Sequence, residues 1–475
     1  MSDYLYRFRS MHALLDGFHE LENQEIYFCP PEQLNDPLEG FKDVYWQGDR
    51  IVWTNLLRHY LLCLMQATSI TAIMGKEFSP ELCQSLVHQT SDDLPAAPIR
   101  ETYAVICNEF IDHNAPKALV ASFSSGPKAV RRDELIFYLR VLHGIASSAV
   151  FKAFDRRGLG LFNPSDGLEK TLNSTDVQME DLLRAHSHAA DASDEMCRIS
   201  ELALVQLALI HEYNGDFPED HRQWFFVARD FPDFYVNALE RLIYPDWHTA
   251  CFVANPTNAS MWGAYGDGHK GICLKFRVAP DASGHRSLEL YRANSWSGGK
   301  DGNVVANYAY LPHRFEEIRY TADFPEIDFF QSLGTVPMFK LKFWYEDKNG
   351  ERSSVASKIM SDDKSWHRDH WERFSTSYRT KTTEWAHEQE YRLILYSLLQ
   401  RFDDVPSRKL KYKFSDLTGL IFGIKTTFED KIRIMRIIEQ KGRAEGRKDF
   451  EFLQAHYSRR SRKIELAPLS LIQLA

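Results

Sequence analysis

Lys381-Thr382-Thr383-Glu384-Trp385-Ala386-His387-Glu388-Gln389-Glu390-Tyr391-Arg392-Leu393-Ile394-Leu395-Tyr396 changes character halfway along. Its first half is a polar loop carrying a tryptophan. Its second half alternates aromatic and aliphatic residues, the texture of a strand. A strand that starts near Glu388 puts Glu388, Glu390 and Arg392 on one face and Tyr391, Leu393 and Leu395 on the other, because side chains alternate with period two. Two carboxylates at the mouth of a buried strand are costly unless something pairs with them. The arrangement asks for a basic partner, a ligand or a metal, and the plainest answer is an ion pair with Arg392 or a nearby lysine.

The whole chain sets broad bounds. A length of 475 residues suggests two or three compact units, or one domain with a large insertion. The 57 basic and 66 acidic residues leave a net charge of -9, which argues against a protein built mainly to grip nucleic-acid phosphate but leaves room for a local basic face. Seven cysteines are scattered with no C-x-x-C pair, which disfavours a disulfide framework or a cysteine-ligated zinc. A reducing cytoplasm is the expected compartment, and the start Met1-Ser2-Asp3-Tyr4 has no signal-peptide character. The most apolar long segment, Ile51 to Met74, is interrupted by Arg58, His59 and Gln66 and reads as a core helix, so no membrane partner is expected.

Working outward from the quoted stretch, strand texture clusters at the two ends of the chain. Tyr4 to Arg9 and Glu25 to Cys29 are expected strands, with a helix over Met11 to Leu21 between them. Pro30-Pro31 stops the second strand, and Gln33 to Gly40 is a polar turn in which Asn35, Asp36 and Glu39 bond locally or face a ligand. From about 45 to 245 the pattern is helical: Ile51 to Met74, Ile99 to Asp112, Asp133 to Phe154, Met179 to His188, Glu195 to Tyr213 and Phe231 to Ile243. The histidines of this block, including His186, His188 and His211, lack paired-ligand spacing.

Strands return at Thr249 to Ala254 and Ile272 to Phe276, separated by a short helical turn that puts Trp262 and Tyr265 on one side. Residues 281 to 305, rich in Gly, Ser and Asn, read as a loop. Leu410 to Phe414 and Leu417 to Ile424 read as a hairpin-like pair, followed by a helix from Thr427 to Lys441 and two last strands. Arg447, Lys448, Arg459, Arg460, Arg462 and Lys463 read as a solvated basic face first and a nucleic-acid patch second. The fold expected is α+β: a mixed, mainly antiparallel sheet core from residues 1–44 and 246–475, with an all-α insertion at 45–245. Neither a Walker loop, nor a Rossmann glycine pattern, nor H-E-x-x-H, nor G-x-S-x-G is present.

Four segments together resemble a bacterial family known as domain of unknown function 2971: Leu5-Tyr6-Arg7-Phe8-Arg9-Ser10, Leu34-Asn35-Asp36-Pro37-Leu38-Glu39, Met261-Trp262-Gly263-Ala264-Tyr265 through His269-Lys270-Gly271, and Trp385 through Arg392. The order of these elements looks like the ADP-ribosyltransferase plan. That resemblance implies NAD as substrate, with Arg7 on its adenosine side, Tyr265 stacking on nicotinamide, and Asn35 and Asp36 bonding the ribose or carboxamide. Trp262 and His269, within the same matching segment, join the expected NAD-binding set. Glu390 would hold the nicotinamide ribose and stabilise the oxocarbenium-like charge, with Glu388 positioning or deprotonating the acceptor, a protein or a nucleic acid. A fixed carboxylate suits that step because positive charge develops on the ribose as the glycosidic bond breaks. A toxin or defence effector is the expected setting.

Two other classes compete. A Mg²⁺-dependent nuclease or phosphoesterase needs Asp36, Glu39, Glu388 and Glu390 to converge on one point. A non-catalytic binding module, with the helical block as its partner-recognition part, is expected if Glu388 and Glu390 are buried against Arg7 or Arg392 with no pocket in front of them.

Overall fold

The N-terminal strand lies in the middle of an eight-stranded sheet whose other members all come from residues 247 onward. In chain order the strands of this unit are β1 (Tyr4–Arg9), β2 (Glu25–Tyr27), β3 (Trp247–Val253), β4 (Ile272–Arg277), β5 (Ala279–Pro280), β6 (Arg286–Gly298) and β7 (Val304–Arg314). They continue with β8 (Glu316–Glu317), β9 (Arg319–Tyr320), β10 (Thr380–Lys381), β11 (Glu390–Tyr396), β12 (Lys409–Tyr412), β13 (Leu417–Phe422), β14 (Glu451–Ser458) and β15 (Lys463–Pro468). The computed structural model describes residues 3–126, 128–158, 179, 181–182, 190–215, 222–280, 284–298, 304–360, 363–397 and 400–472.

The large sheet runs β8-β11-β3-β1-β4-β13-β14-β15 and is antiparallel except for the pair β13 and β14. A parallel pair needs a long crossover, and the helix Phe428–Glu445 supplies it. Thr427 starts that helix by accepting the Asp430 N–H, and Gly446, at φ +65°, ends it in the left-handed region. A smaller sheet runs β2-β12-β6-β5, with β7 paired to β6. One face of the large sheet (Leu5, Phe252, Leu274, Leu393, Leu420) and one face of the small sheet (Ile26, Leu288, Leu290, Leu410) share a single core. On the opposite face of the large sheet, Trp262 packs edge-on against Phe8 at 4.9 Å and caps a second, smaller cluster. The fold is α+β.

Three local expectations are corrected. Met11 to Leu21 is not one helix: a π-turn over His12–Asp16 and a short helix Glu20–Asn23 are divided by His19 in the left-handed region at φ +52°. The Gly- and Ser-rich stretch read as a loop contains the whole of β6, whose alternate residues Leu288 and Leu290 enter the core. The two segments read as a hairpin belong to different sheets: β12 pairs with β2 and β6, β13 with β4 and β14. Tyr412 and Phe414 are both buried, so the chain passes through the core between the two layers.

This first unit comprises Met1–Phe41, Asp246–Phe324 and Ser375–Ala475, and the second comprises Lys42–Pro245 and Pro325–Phe374. Residues 325–374, grouped with the core ends in the sequence reading, stand in the second unit, where Glu326–Asp328 pairs in parallel with Asp43–Trp46. Its helices include Arg50–Met74, Ala97–Ile111, Asn114–Ser124, Arg132–Asp155, Ala190–Asn214 and Phe231–Leu239. Asp49 caps the first by accepting the N–H groups of Ile51 and Val52. Among the described residues, Arg132–Asp155 is long and apolar enough to cross a membrane, and 67% of its apolar window is buried within the unit. His186, His188 and most of the segment Met179 to His188 lie outside the described residues.

Two buried imidazoles tie the helices together. His59 lies 2.9 Å from the Tyr235 hydroxyl and 3.0 Å from the Val87 carbonyl, and His143 lies 2.6 Å from the Tyr60 hydroxyl and 2.7 Å from the Val227 carbonyl. Burial lowers His59 to about 3 and His143 to about 4. Both rings stay neutral in the folded unit, whereas the unfolded chain takes up protons from its ordinary 6.5 downward, so stability is lost as pH falls through that window. His143→Gln is expected to flatten the stability loss between pH 6.5 and 4 by about 3 kcal/mol relative to wild type. Urea unfolding followed at a series of pH values checks it, and an unchanged slope contradicts a neutral buried ring.

Candidate functional site

Strand β11 begins at Glu390, two residues later than its alternation suggests. Thr383–Glu388 is a 3-10 turn, and Gln389 sits in the left-handed region at φ +50°. Glu388 is therefore aimed by the turn and Glu390 by the strand. The Glu390 N–H, at the strand's first position, donates to the Tyr320 hydroxyl at 2.8 Å. Beyond it the alternation holds: Leu393 and Leu395 enter the main core and Tyr391 packs against it, while Glu390 and Arg392 point to the other face.

Arg392 organises that face. Its Nε and Nη2 donate to the two oxygens of Glu390 at 2.8 and 3.0 Å, and its Nη1 and Nη2 to the two oxygens of Glu39 at 2.5 and 2.7 Å. Nη1 also reaches the Tyr378 carbonyl at 3.0 Å. Glu39 arrives there because Asp36 folds the preceding turn, accepting the Leu38 N–H at 2.9 Å through its side chain and the Glu39 N–H at 3.1 Å through its carbonyl. Lys381, fixed by the parallel pairing of β10 with β9, places its ammonium 2.7 Å from Glu388, 3.4 Å from Glu390 and 3.8 Å from Glu39. The same ammonium lies 4.5 Å from the centre of the Trp385 ring. Tyr265 completes the cluster by donating its hydroxyl to Glu388 at 2.7 Å.

The side chains of Glu39, Lys381, Glu388, Glu390 and Arg392 are each at most 4% exposed, so their charges are settled by one another and not by water. Burial alone would raise the Glu390 carboxyl, but Arg392 and then Lys381 outweigh it and leave it at about 2. Burial raises Glu39 above the ordinary range despite Arg392. Lys381 is raised because Glu390 and Glu388 outweigh its own burial, which acts the other way. Burial and then the Glu388 charge push the Tyr265 hydroxyl far up, so it remains a donor. Three carboxylates against two cations leave the cluster with an excess of negative charge.

The remaining expected site residues are placed elsewhere. Arg7 is on the core face of the large sheet, opposite Glu390, with its guanidinium over the Phe252 ring at 5.4 Å. It donates to the carbonyls of Cys251 and Tyr27 at 3.2 and 2.9 Å, filling the gap where β1 and β3, paired only at Tyr6 and Val253, diverge. Burial and the neighbouring Arg9 lower it to about 10. A cleft lined by Glu390, Tyr265 and Arg7 is thus not formed, because strand alternation sends Arg7 to the other side. Trp262 is fully buried with its indole N–H on the Pro256 carbonyl at 2.8 Å, a core residue and not a platform. Asn35 is exposed and Asp36 is occupied by its turn.

His269, at φ +73°, is held by its backbone: its N–H donates to the Trp262 carbonyl, and its carbonyl accepts from the Lys425 N–H. A Cβ at Gly271, two residues on, would run into the Arg9 carbonyl, so the His269-Lys270-Gly271 segment serves close packing of β1, β4 and β13.

Lys381 is the member that the sequence did not single out, having only its nearness to Glu388 to recommend it, whereas Glu39 was expected either in turn chemistry or as a metal ligand and is instead an ion-pair partner of Arg392. Together they answer the metal reading. The point within 4 Å of Glu39, Glu388 and Glu390 is filled by the Lys381 ammonium, and Asp36 is not there. Among the described residues no group of His, Cys, Asp and Glu is arranged to hold a metal ion.

The family model described as protein of unknown function (DUF2971) matches residues 261–393. That stretch contains Tyr265, Lys381, Glu388, Glu390 and Arg392, and it supports the resemblance to that family there; Arg7 and the turn from Asn35 to Glu39 fall outside it. No curated protein and no solved structure matches the chain.

Arg392→Met is expected to destabilise the first unit by about 3–5 kcal/mol, because it strands two buried carboxylates. Adding Glu39→Gln and Glu390→Gln to it should restore much of that loss, as read by urea unfolding. Because the folded pKa of Glu390 is depressed, its stabilisation is present above the ordinary 4.5 and is lost as pH falls from there towards 2. Glu390→Gln should therefore show a shallower acid limb over that interval, and an unaltered limb would contradict the ion pairing.

Proposed function

We propose that the first unit is an NAD-consuming enzyme of the ADP-ribosyltransferase kind, with the reacting edge at Glu388 and Tyr265. The observation that carries the reading is the 2.7 Å hydrogen bond between these two residues, 123 positions apart in the chain. Tyr265 supplies an aromatic face for the flat, cationic nicotinamide ring. Glu388 supplies a carboxylate beside it. As the bond between nicotinamide and ribose breaks, the leaving group keeps the electron pair and the ribose carbon becomes positively charged. The excess negative charge of the cluster favours that state over the ground state. The nucleophile of an acceptor, protein or nucleic acid, then bonds to the ribose carbon and gives up its proton to the Glu388 carboxylate.

In this reading Glu390 is a positioning residue. Both its oxygens are engaged by Arg392, so it adds little to a new cation, but it holds Arg392 and Lys381 where they orient Glu388. The same saturation favours a second reading, a binding module in which the whole cluster is structural.

Incubation of the full chain with labelled NAD and protein, RNA or DNA acceptors separates the two. Wild type should release nicotinamide, and Glu388→Gln should lower the rate by about a hundredfold or more. Tyr265→Phe should lose less than Tyr265→Ala, since the ring does the holding. No nicotinamide release and no label transfer from the folded wild-type chain would sink the transferase reading in favour of the binding module, as would full activity in Glu388→Gln.

A further inference from the structure

Strand β6 sends Leu288 and Leu290 into the core, so its other face looks outward. There Tyr291 stands opposite Tyr310 of β7, and the centres of the two rings are 5.3 Å apart. Tyr308, two residues along β7 on the same face, stacks on Tyr291 at 5.6 Å and 27°. A bulge between Ala293 and Ser295 then shifts the alternation of β6 by one residue. As a result Trp296, opposite Ala306, rejoins the side occupied by Tyr308 and Tyr310. The four rings make one strip along the hairpin, each 38–49% exposed.

The neighbouring strand gives the strip its charge. Lys411 of β12 is the direct partner of Tyr291 and is exposed, and Lys413 lies 5.3 Å from the centre of the Tyr310 ring while pairing with Glu289. Each ammonium also has a carboxylate beside it, Glu25 of β2 opposite Lys411 and Glu289 at Lys413, so a phosphate reaching the strip competes with one acid at each lysine.

We propose that this strip binds single-stranded nucleic acid, its bases stacking on Tyr291, Trp296, Tyr308 and Tyr310 and its phosphates meeting Lys411 and Lys413. Stacking needs a ring face and tolerates every base, and the phosphates need cations within reach of that face. A neutral oligosaccharide would use the rings but has no need of the lysines, and a duplex hides its base faces. The site lies on the small sheet and is independent of any reaction at Glu388.

The test uses the full chain and fluorescein-labelled oligouridine and oligothymidine of about 15 nucleotides, followed by anisotropy over a salt series. Binding is expected, with a slope of log affinity on log salt near -1.4 for two neutralised phosphates, at about -0.7 each. Tyr308→Ala and Trp296→Ala should each weaken it about tenfold. The pair Lys411→Glu and Lys413→Glu should abolish the salt dependence, and Phe428→Ala, at an exposed ring far along the chain, should change nothing. Thermal melts of each variant establish that it is folded. Absence of binding at low salt, affinity untouched by the two ring variants, or equal affinity for duplex or for a neutral oligosaccharide would overturn the proposal.

Discussion

A guanidinium with no exposure to water, clamped on both sides by carboxylates, is the constraint on which the first unit depends. Arg392 could be accommodated only where two acids and a carbonyl come to it, and they come from different parts of the chain: Glu39 from near the N-terminus, Glu390 from its own strand and Tyr378 from the segment before it. Lys381 and Tyr265 extend the same network to Glu388. Apolar packing alone would accept β11 in more than one register. A slip of one residue, however, would drive Arg392 into the Leu393 side of the sheet and take the guanidinium away from Glu39 and Glu390.

The network also divides its carboxylates by task. Glu39 and Glu390 spend both oxygens on one guanidinium, which fixes them as part of the frame. Glu388 is held by an ammonium and a phenol, single donors on separate elements, either of which a ligand could replace without breaking a bidentate pair. This asymmetry is why two glutamates that sit two residues apart in sequence receive different roles.

Much of the architecture was legible in the sequence because its periodicity is local. The helices of the second unit and the alternation of Tyr391, Leu393 and Leu395 follow from spacing within each element, whatever partners the element finds. What the sequence did not disclose depends on the three-dimensional route of the chain. Arg7 carries the same residue type that a nucleotide site would use, yet one step of strand alternation puts it on the core face, where it satisfies carbonyls. The turn at Gln389 has a backbone conformation that no side-chain pattern announces, and it moves the start of β11. Residues 281–305 looked too polar for a strand because only one face of β6 is buried, and its bulge breaks the alternation that would have revealed it. Glu39 and Lys381 lie 342 positions apart, and nothing in either neighbourhood points to the other.

The position of β1 carries a consequence for biosynthesis. Its two neighbours in the sheet, β3 and β4, begin at Trp247 and Ile272, so the strand leaves the ribosome more than two hundred residues before anything can pair with it. The second unit's main segment, Lys42–Pro245, is made in that interval. A nascent chain must therefore keep Leu5 on one face of β1 and Phe8 on the other from sticking elsewhere while most of the second unit is synthesised behind it, a situation that slows folding and invites chaperone capture. The molecule is finished from its middle outward, and its first strand is among the last to be housed.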